Sequence, residues 1–281
     1  MKAGYRVQGT GDSSDPFELE ALGAALAGTR FVGKLNFFPS IESTNTHAMR
    51  QAEAGAPDGS VYFADEQTLG RGRGAHEWES PPGSGLYVSV VLRPRLAPAD
   101  VLWLSLAAGL AAQEAVRRTV GLEADVRWPN DLLLGRRKFC GILTELNAEV
   151  TRVRHAVVGI GINVHQAEFP EELRAVATSL RVETGREWPR QELLLALLES
   201  LESEVAALTR SPDVRAAAKS LQERIASGST WIRGKRVRVD ETANGGDSFT
   251  GTTDGLDERG FLKVRTADGM RTVLSGGVRE A

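Results

Sequence analysis

The sequence predicts two domains: a larger one that mixes helices with strands (α/β or α+β), and a small β-barrel at the C-terminal end. The first observation is length, because 281 residues are long for a single compact core. The second is the alternation of short apolar runs with helical patterns between residues 35 and 208. The third is a change in composition, since residues 228–281 contain 10 of the 30 glycines and short strand candidates.

Composition excludes several classes of protein. Hydrophobic residues make up 41% and charged residues 25%, ordinary values that exclude a disordered chain, a collagen-like fibre and a coiled coil. The net charge of −3 argues against a protein that coats nucleic acid or anionic lipid. The single cysteine, Cys140, allows no internal disulfide and favours a cytoplasmic location. The apolar stretch at 101–112 is too short to span a bilayer, so we expect a buried helix.

Residues 1–30 are predicted to form an N-terminal extension. Residues 1–16 are rich in Gly, Ser and Asp, which indicates a frayed start. Residues 17–27 predict a short helix that Asp15 caps, with Pro16 at its first position. Because 30 residues are too few for a helix-turn-helix domain, we expect no DNA binding.

The main domain is predicted at residues 31–226 and the small domain at residues 227–281. In the main domain we predict strands at 61–64, 86–92, 126–128, 141–146 and 156–162, and helices at 46–54, 100–120 and 192–208. In the small domain we predict strands at 235–240, 248–252, 262–266 and 271–274. Gly-rich turns separate the latter strands, a spacing typical of a Greek-key or SH3-like barrel.

The densest candidate site is the loop at 67–74, directly after a predicted strand. Three glycines alternate there with Arg71 and Arg73. Glycine lets the backbone approach a ligand closely, and guanidinium groups suit phosphate or carboxylate. The spacing fits neither a P-loop nor a Rossmann turn. A solvated Gly/Arg-rich loop explains this pattern about equally well.

Further polar residues lie at the ends of predicted strands. Asn130 and Asp131 are predicted to form a turn after the strand at 126–128. Lys138 begins the next strand beside Gly141, which suits a cation in a pocket, although a lone lysine there is usually solvated. Asn163 ends another strand, where close helix packing explains the neighbouring glycines equally well. Hydrolase chemistry is not favoured, because G-x-S-x-G and H-E-x-x-H motifs are missing from the sequence.

Taken in order, these segments resemble the biotin protein ligases. The resemblance runs from about residue 37 to the C-terminus. It includes ESTN at 42–45, QTLGRGR at 67–73 followed by Trp78, SGLYVSVVLRP at 84–94, VRWPNDLLL at 126–134, RKFCGIL at 137–143, GIGINV at 159–164, ATSL at 177–180 and SGGV at 275–278. It implies an α+β fold, with a class II synthetase-like catalytic domain built on a mixed sheet and a C-terminal SH3-like barrel.

The resemblance also implies roles for the matching positions. Residues that would bind biotin are Ser43, Thr44, Asn45, Gln67, Arg71, Gly72, Arg73, Tyr87, Lys138 and Gly141. Residues that would bind the nucleotide are Asn130, Asp131 and Asn163, with Asp131 as a candidate Mg²⁺ contact. Lys138, Arg71 and Arg73 would be catalytic, because they would stabilise charge on the α-phosphate. Biotin and ATP with Mg²⁺ would be the substrates, and no direct metal-binding motif is present in the sequence.

The implied reaction forms biotinyl-5′-AMP from biotin and ATP, then transfers biotin to a lysine of a biotin carboxyl carrier protein domain. We expect no DNA and no membrane partner, and the sequence leaves a homodimer open. The alternatives are a lipoate or octanoate ligase, an SH3-like interaction protein or DNA-binding regulator, and an inactive homologue. The last rests on Ala75 and His76, where many members of the family carry Gly-Arg.

Overall fold

The computed structural model describes residues 6–7, 17–74, 76–209, 214–241 and 246–281. Seven α-helices lie within these ranges: α1 (Leu19–Ala25), α2 (Thr44–Glu53), α3 (Leu102–Val120), α4 (Glu171–Arg174), α5 (Leu180–Thr184), α6 (Arg190–Thr209) and α7 (Val214–Gly228). The strands form two separate sheets of eight and five strands. This arrangement confirms the predicted α+β fold with a small β-structure at the C-terminal end.

The larger sheet is mixed. Its strands are β1 (Arg6–Val7), β2 (Leu35–Ile41), β3 (Val61–Gln67), β4 (Gly85–Leu92), β5 (Asp125–Arg127), β6 (Asp131–Leu134), β7 (Arg137–Ala148) and β8 (Val153–Asn163). They lie in the order β1–β2–β3–β4–β8–β7–β6–β5. Strands β1, β2 and β3 run parallel, and all other neighbours are antiparallel. All eight residues of the central β4 are buried, because helices cover both faces of the sheet there.

The two faces of this sheet are covered unequally. Helices α3 and α6 pack against each other on one face and enclose the main hydrophobic core. The segment Pro98–Val120 has the length and composition of a membrane span, yet 72% of its apolar window is buried. This confirms the predicted core helix. On the other face, α2 packs over a smaller cluster that includes Ala48, Tyr62 and Val157. The sheet beside the N-terminus of α2 is therefore available for a binding site.

The smaller sheet is antiparallel throughout. Its strands are β9 (Arg233–Asp240), β10 (Ser248–Leu256), β11 (Leu262–Thr266), β12 (Gly269–Val273) and β13 (Gly277–Glu280), in the order β12–β11–β10–β9–β13. It contacts the main domain at Trp128, whose buried indole N–H donates to the carbonyl of Gly260 at 2.9 Å. The predicted division at residues 226 and 227 falls in the last turn of α7, and the domain boundaries stay a prediction.

Several predicted elements differ from the structure at their ends. The first helix begins at Leu19, after Glu18 as its N-cap, so the prediction of residues 17–27 was too long. Asp15 and Pro16 lie outside the described residues. The predicted frayed start is wrong at Arg6–Val7, which pairs with β2. Helix α2 begins at Thr44 rather than at residue 46, because Ser43 accepts a bond from the Thr46 N–H and caps it.

Four strands were not predicted: β1, β2, β6 and β13. Asp131 was expected in a turn, but it is the first residue of β6, which pairs with β5 and β7. The local preference of Asn-Asp for turns is overridden by this pairing on both sides. Strand β13 pairs with β9 and forms one edge of the small sheet. Ala75 and the predicted turn residues Asn244 and Gly245 lie outside the described residues.

Candidate active site

One pocket on the α2 face of the sheet brings together most of the predicted site. The predicted residues that line it are Ser43, Thr44, Asn45, Gln67, Arg71, Gly72, Arg73, Tyr87, Asn130, Lys138 and Gly141. Asp131 lies behind this lining, in contact with Lys138. Asn163 lies outside the pocket, where its buried Nδ2 donates to the carbonyl of Thr178 at 3.0 Å. The biotin-binding roles and the nucleotide-binding roles stay predictions.

Two glycines form the floor of the pocket. Gly161 pairs with Gly141 on β7 and with Tyr87 on β4 in the strand register. The indole of Trp78 lies over both: a Cβ would be 2.7 Å from Trp78 Cε2 at Gly161 and 2.8 Å from Trp78 Cζ3 at Gly141. A side chain at either position would therefore overlap the indole. Trp78 Nε1 is buried, with no hydrogen-bond partner in the part of the chain that the structure describes.

The N-terminus of α2 supplies an uncharged polar wall. Ser43, Thr44 and Asn45 are all buried. The backbone N–H and the hydroxyl of Thr44 both donate to Gln67 Oε1, at 2.9 and 3.0 Å. Gln67 Nε2 in turn donates to Ser80 Oγ at 2.8 Å. These bonds tie the helix to the end of β3 and hold the polar groups in one arrangement.

Three basic residues lie around this wall, and each contacts an acidic or polar group of the protein. Arg71 makes two bonds of 3.0 Å to the carboxylate of Glu145. Arg73 donates to Asn130 Oδ1 at 3.0 Å and to the carbonyl of Gly276, in the small domain, at 2.9 Å. Burial lowers the pKa of the Arg73 guanidinium, and the nearby Asp131 carboxylate opposes that shift.

Lys138 and Asp131 form an ion pair at the pocket edge. Lys138 Nζ lies 2.5 Å from Asp131 Oδ1 and 5.1 Å from the centre of the Trp78 ring. Asp131 Oδ2 accepts from Arg127 Nη2 at 2.7 Å. Burial alone would raise the pKa of Asp131, but Lys138 and Arg127 outweigh it and lower that pKa. Asp131 is therefore an ionised carboxylate that faces two cations.

Tyr87 and Cys140 are buried in the sheet. Burial raises the pKa of Tyr87 to about 12, and its hydroxyl donates to the carbonyl of Pro81 at 3.2 Å. Burial also raises the pKa of the Cys140 thiol, which fits the predicted structural role rather than a nucleophile. His76 is exposed, and its carbonyl accepts from the Gly72 N–H at 2.8 Å.

Three polar residues of the site were absent from the predicted set: Glu145, Ser89 and Ser80. Ser89 Oγ lies 2.9 Å from Thr44 Oγ1 and 3.1 Å from Asn45 Oδ1. Glu145 Oε2 accepts from Asn45 Nδ2 at 2.6 Å. The sequence does contain one indication of Glu145. Gly141, Leu143 and Glu145 occupy every second position of β7, so their side chains lie on the same face of the strand. Ser89 has the same indication, since it lies two residues after Tyr87 and so on the same face of β4, whereas Ser80 has none.

The fold and this site define a class, the ligases that act with biotin or lipoate. Residues 37–163 match the Biotin/lipoate A/B protein ligase family, and residues 233–278 match the Biotin protein ligase C terminal domain. The second match and the relatives below distinguish biotin ligases within that class.

Three similar proteins narrow the class further. The bifunctional ligase/repressor BirA of Bacillus spizizenii is 35% identical over 250 residues, covering 85% of this chain and 71% of that protein. The biotin–[acetyl-CoA-carboxylase] ligase of Mycobacterium tuberculosis is 34% identical over 241 residues, covering 84% of each. The biotin protein ligase of Aquifex aeolicus, solved with biotin and ATP, has a TM-score of 0.74 at 30% identity, covering 88% of this chain and 99% of that chain. The chain belongs to the biotin protein ligase family.

Proposed function

We propose that this chain activates biotin with ATP and transfers it to a lysine of a biotin carboxyl carrier domain. The observation that carries the proposal is a single pocket with an uncharged polar wall and a cationic rim. Biotin has an uncharged ureido ring, which needs paired donors and acceptors in a dry site. Thr44, Asn45 and Gln67 supply such groups. Biotin also has a carboxylate, which suits the rim formed by Lys138 and Arg73.

The first step joins biotin to the nucleotide. A carboxylate oxygen of biotin attacks the α-phosphorus of ATP, the bond from that phosphorus to the bridging oxygen breaks, and pyrophosphate leaves. Negative charge grows on the α-phosphoryl oxygens, where preorganised cations stabilise it best. We assign this role to Lys138, Arg71 and Arg73, the three basic residues that line the pocket. Lys138 would exchange its contact with Asp131 for the reacting phosphate.

The second step releases the nucleotide. The neutral amine of the acceptor lysine attacks the carbonyl carbon of biotinyl-5′-AMP, AMP leaves with the bonding electron pair, and the amine loses a proton to solvent. The loop that carries Arg71, Arg73 and Trp78 covers the pocket. In this proposal the loop limits the access of water to the reactive anhydride between the two steps.

Mg²⁺ accompanies ATP in this family. Among the described residues, no three His, Cys, Asp or Glu side chains come together in one cluster. Both oxygens of Asp131 contact cations in the structure, but Lys138 would leave Oδ1 for the phosphate in this proposal, so the Mg²⁺ contact at Asp131 stays a prediction. The ion would be held mainly by the phosphates, where it supplies charge neutralisation.

ATP–pyrophosphate exchange tests the proposal. We expect exchange with biotin and background exchange with lipoate or with no acid. Exchange with lipoate alone would reassign the substrate, and no exchange with either acid would favour the inactive homologue. Lys138→Ala should lower the exchange rate about 10²- to 10³-fold. Lys219→Ala, which removes an exposed lysine on α7, is the matched control and should exchange like the wild type.

Acceptor transfer needs a separate experiment. Relatives named as biotin–[acetyl-CoA-carboxylase] ligases point to the biotin carrier domain of that carboxylase as acceptor. Purified protein should attach biotin to this domain, which a mass increase would detect. A variant of the domain with arginine in place of the acceptor lysine should stay unmodified. Several expectations stay predictions: the homodimer, the lack of DNA and membrane partners, the cytoplasmic location and the domain limits 31–226 and 227–281. Sedimentation tests the homodimer, and a gel shift tests the lack of DNA binding.

A further inference from the structure

We infer that Glu145 is a positioning residue of the biotin site, which holds the Asn45 amide and the Arg71 guanidinium in the orientations that the reaction uses. The inference rests on the proposed function. Glu145 lies on the pocket face of β7, and its side chain is 27% exposed. One carboxylate oxygen, Oε2, accepts from both Asn45 and Arg71, and the other accepts from Arg71. A single carboxylate on β7 therefore contacts one residue of α2 and one residue of the loop after β3.

The carboxylate determines which way the Asn45 amide points. An ionised carboxylate only accepts hydrogen bonds, so the amide must turn its Nδ2 toward Glu145, at 2.6 Å. The carbonyl oxygen Oδ1 then faces Ser89 and lies against Gly159, where a Cβ would be only 2.5 Å away. Without Glu145 the amide could reverse and donate to Ser89 Oγ instead. The orientation of Asn45 thus depends on a residue 100 positions away.

The hydrogen bonds around Asn45 leave its Oδ1 able to accept a hydrogen bond from a ligand. Thr44 Oγ1 directs its proton to Gln67 Oε1, so it accepts from Ser89 Oγ at 2.9 Å. A serine hydroxyl has one proton, and the 3.1 Å approach of Ser89 Oγ to Asn45 Oδ1 competes for it. Asn45 Oδ1 is therefore incompletely satisfied by the protein. It suits a ureido N–H of biotin.

Glu145 also anchors the loop that covers the pocket. The Arg71 guanidinium and the carboxylate form two parallel bonds of 3.0 Å, the geometry that gives charge-assisted pairs their directionality. Arg71 Nη1 also reaches Thr46 Oγ1 on α2, at 3.5 Å. The pair fixes the start of the loop to the sheet next to Asn45, and it offsets the charge of a carboxylate in a pocket that receives a second one from biotin.

Two variants of Glu145 separate these contacts. Glu145→Gln keeps a side-chain oxygen that can accept from Asn45 but removes the charge that pairs with Arg71. Glu145→Ala removes both contacts. In biotin-dependent ATP–pyrophosphate exchange we expect the KM for biotin to rise about tenfold or more in Glu145→Ala and about threefold in Glu145→Gln, with the KM for ATP within about threefold of wild type. The matched control is Glu149→Gln, which changes a carboxylate directly after β7 that also pairs with two arginines and should leave both KM values unchanged.

A double-mutant cycle tests whether Glu145 acts through Asn45. If it does, removing Glu145 in an Asn45→Ala background should raise the KM for biotin only about threefold, the part that belongs to the Arg71 contact, because the amide is already gone. Multiplicative effects of Asn45→Ala and Glu145→Ala, or a wild-type KM for biotin in Glu145→Ala, would overturn the inference. Equal rises in the KM values for biotin and ATP would also overturn it, since they indicate a general loss of structure. Failure of the proposed function looks different, because the wild type itself would then show no biotin-dependent exchange.

Discussion

Replacing Gly161 by alanine adds a single carbon atom, Cβ, to the floor of the pocket. The added Cβ would lie 2.7 Å from both Cε2 and Nε1 of Trp78 and 3.1 Å from Cζ2. Carbon atoms in good contact are about 3.5–4.0 Å apart, so the indole must retreat by roughly 1 Å. The backbone of the central β8 is held by pairing on both sides, whereas Trp78 lies on a loop. We therefore expect the indole to move.

The expected loss of stability depends on which contacts of the indole are weakened when it moves. Its N–H has no hydrogen-bond partner among the described residues, so its retreat breaks no such bond. It does weaken the contact with the Lys138 ammonium, 5.1 Å from the ring centre, which is worth about 0.5–1 kcal/mol. Overpacking costs about 1–3 kcal/mol, and a neighbour on a loop, which can be displaced more easily than the sheet, favours the low end of that range. We expect the free energy of unfolding to fall by about 1 kcal/mol.

Binding should be affected more than stability, because Gly161 and Trp78 both line the pocket. The KM for biotin in pyrophosphate exchange should rise about tenfold, the equivalent of about 1.4 kcal/mol. Urea unfolding measures the stability change on the same samples.

The matched control is Gly109→Ala in α3, where the new Cβ would meet only Ile142 Cδ1 at 3.6 Å and Val126 Cγ1 at 3.9 Å. Alanine is the better helix former by about 0.5–1 kcal/mol, so this variant should be as stable as wild type or more stable, with an unchanged KM. If Gly161→Ala keeps the wild-type stability and KM for biotin, Trp78 does not rest on Gly161 in solution and the reasoning is refuted.

Three further predictions concern the groups beside the pocket. Lys138→Ala should slow adenylation about 10²- to 10³-fold in pyrophosphate exchange. The same change should lower the free energy of urea unfolding by about 1–3 kcal/mol, because the buried carboxylate of Asp131 then keeps only Arg127. Burial would raise the pKa of Asp131, but Lys138 and Arg127 lower it below the usual 3.8. Its stabilising contribution is thus present above that value and is lost as the pH falls through the lowered folded value. Asp131→Asn should flatten the dependence of unfolding free energy on pH below about pH 4, and an unchanged slope there would contradict the pair. Cys140 is buried with a raised thiol pKa, so a thiol reagent should modify the protein only after unfolding, as a mass spectrum would show.

The regular elements were predictable where the local pattern and the tertiary contacts agree. Helix α3 is apolar on most of its surface, and the structure buries it between the sheet and α6. Strand β4 is an apolar run broken only by Ser89, and it lies at the centre of the sheet. Strand β6 was missed because Asn130 and Asp131 favour a turn locally, while pairing with β5 and β7 extends the chain from Asp131 onward. Pairing between distant strands leaves no periodic pattern of its own.

Most polar residues of the pocket could be predicted from the sequence, but the contacts between them could not. Motif resemblance indicated Ser43, Thr44, Asn45 and Gln67 as one group, and the structure brings them to one wall. It did not indicate that Glu145 joins Asn45 to Arg71. Such contacts depend on side-chain direction and distance, which spacing along the chain does not encode.

The sequence by itself determined the class of fold, the family and the set of polar residues available for chemistry, because hydrophobic periodicity and short motifs are local properties. The tertiary structure alone decided how the charges are paired. Arg73 reaches the carbonyl of Gly276, 203 residues away, and Glu145 reaches Asn45 across 100 residues. Lys138 lies against Asp131 because β6 and β7 pair. An ion pair acts over a few ångströms of space, so its partners are known only once the strands and loops that carry them have been packed together.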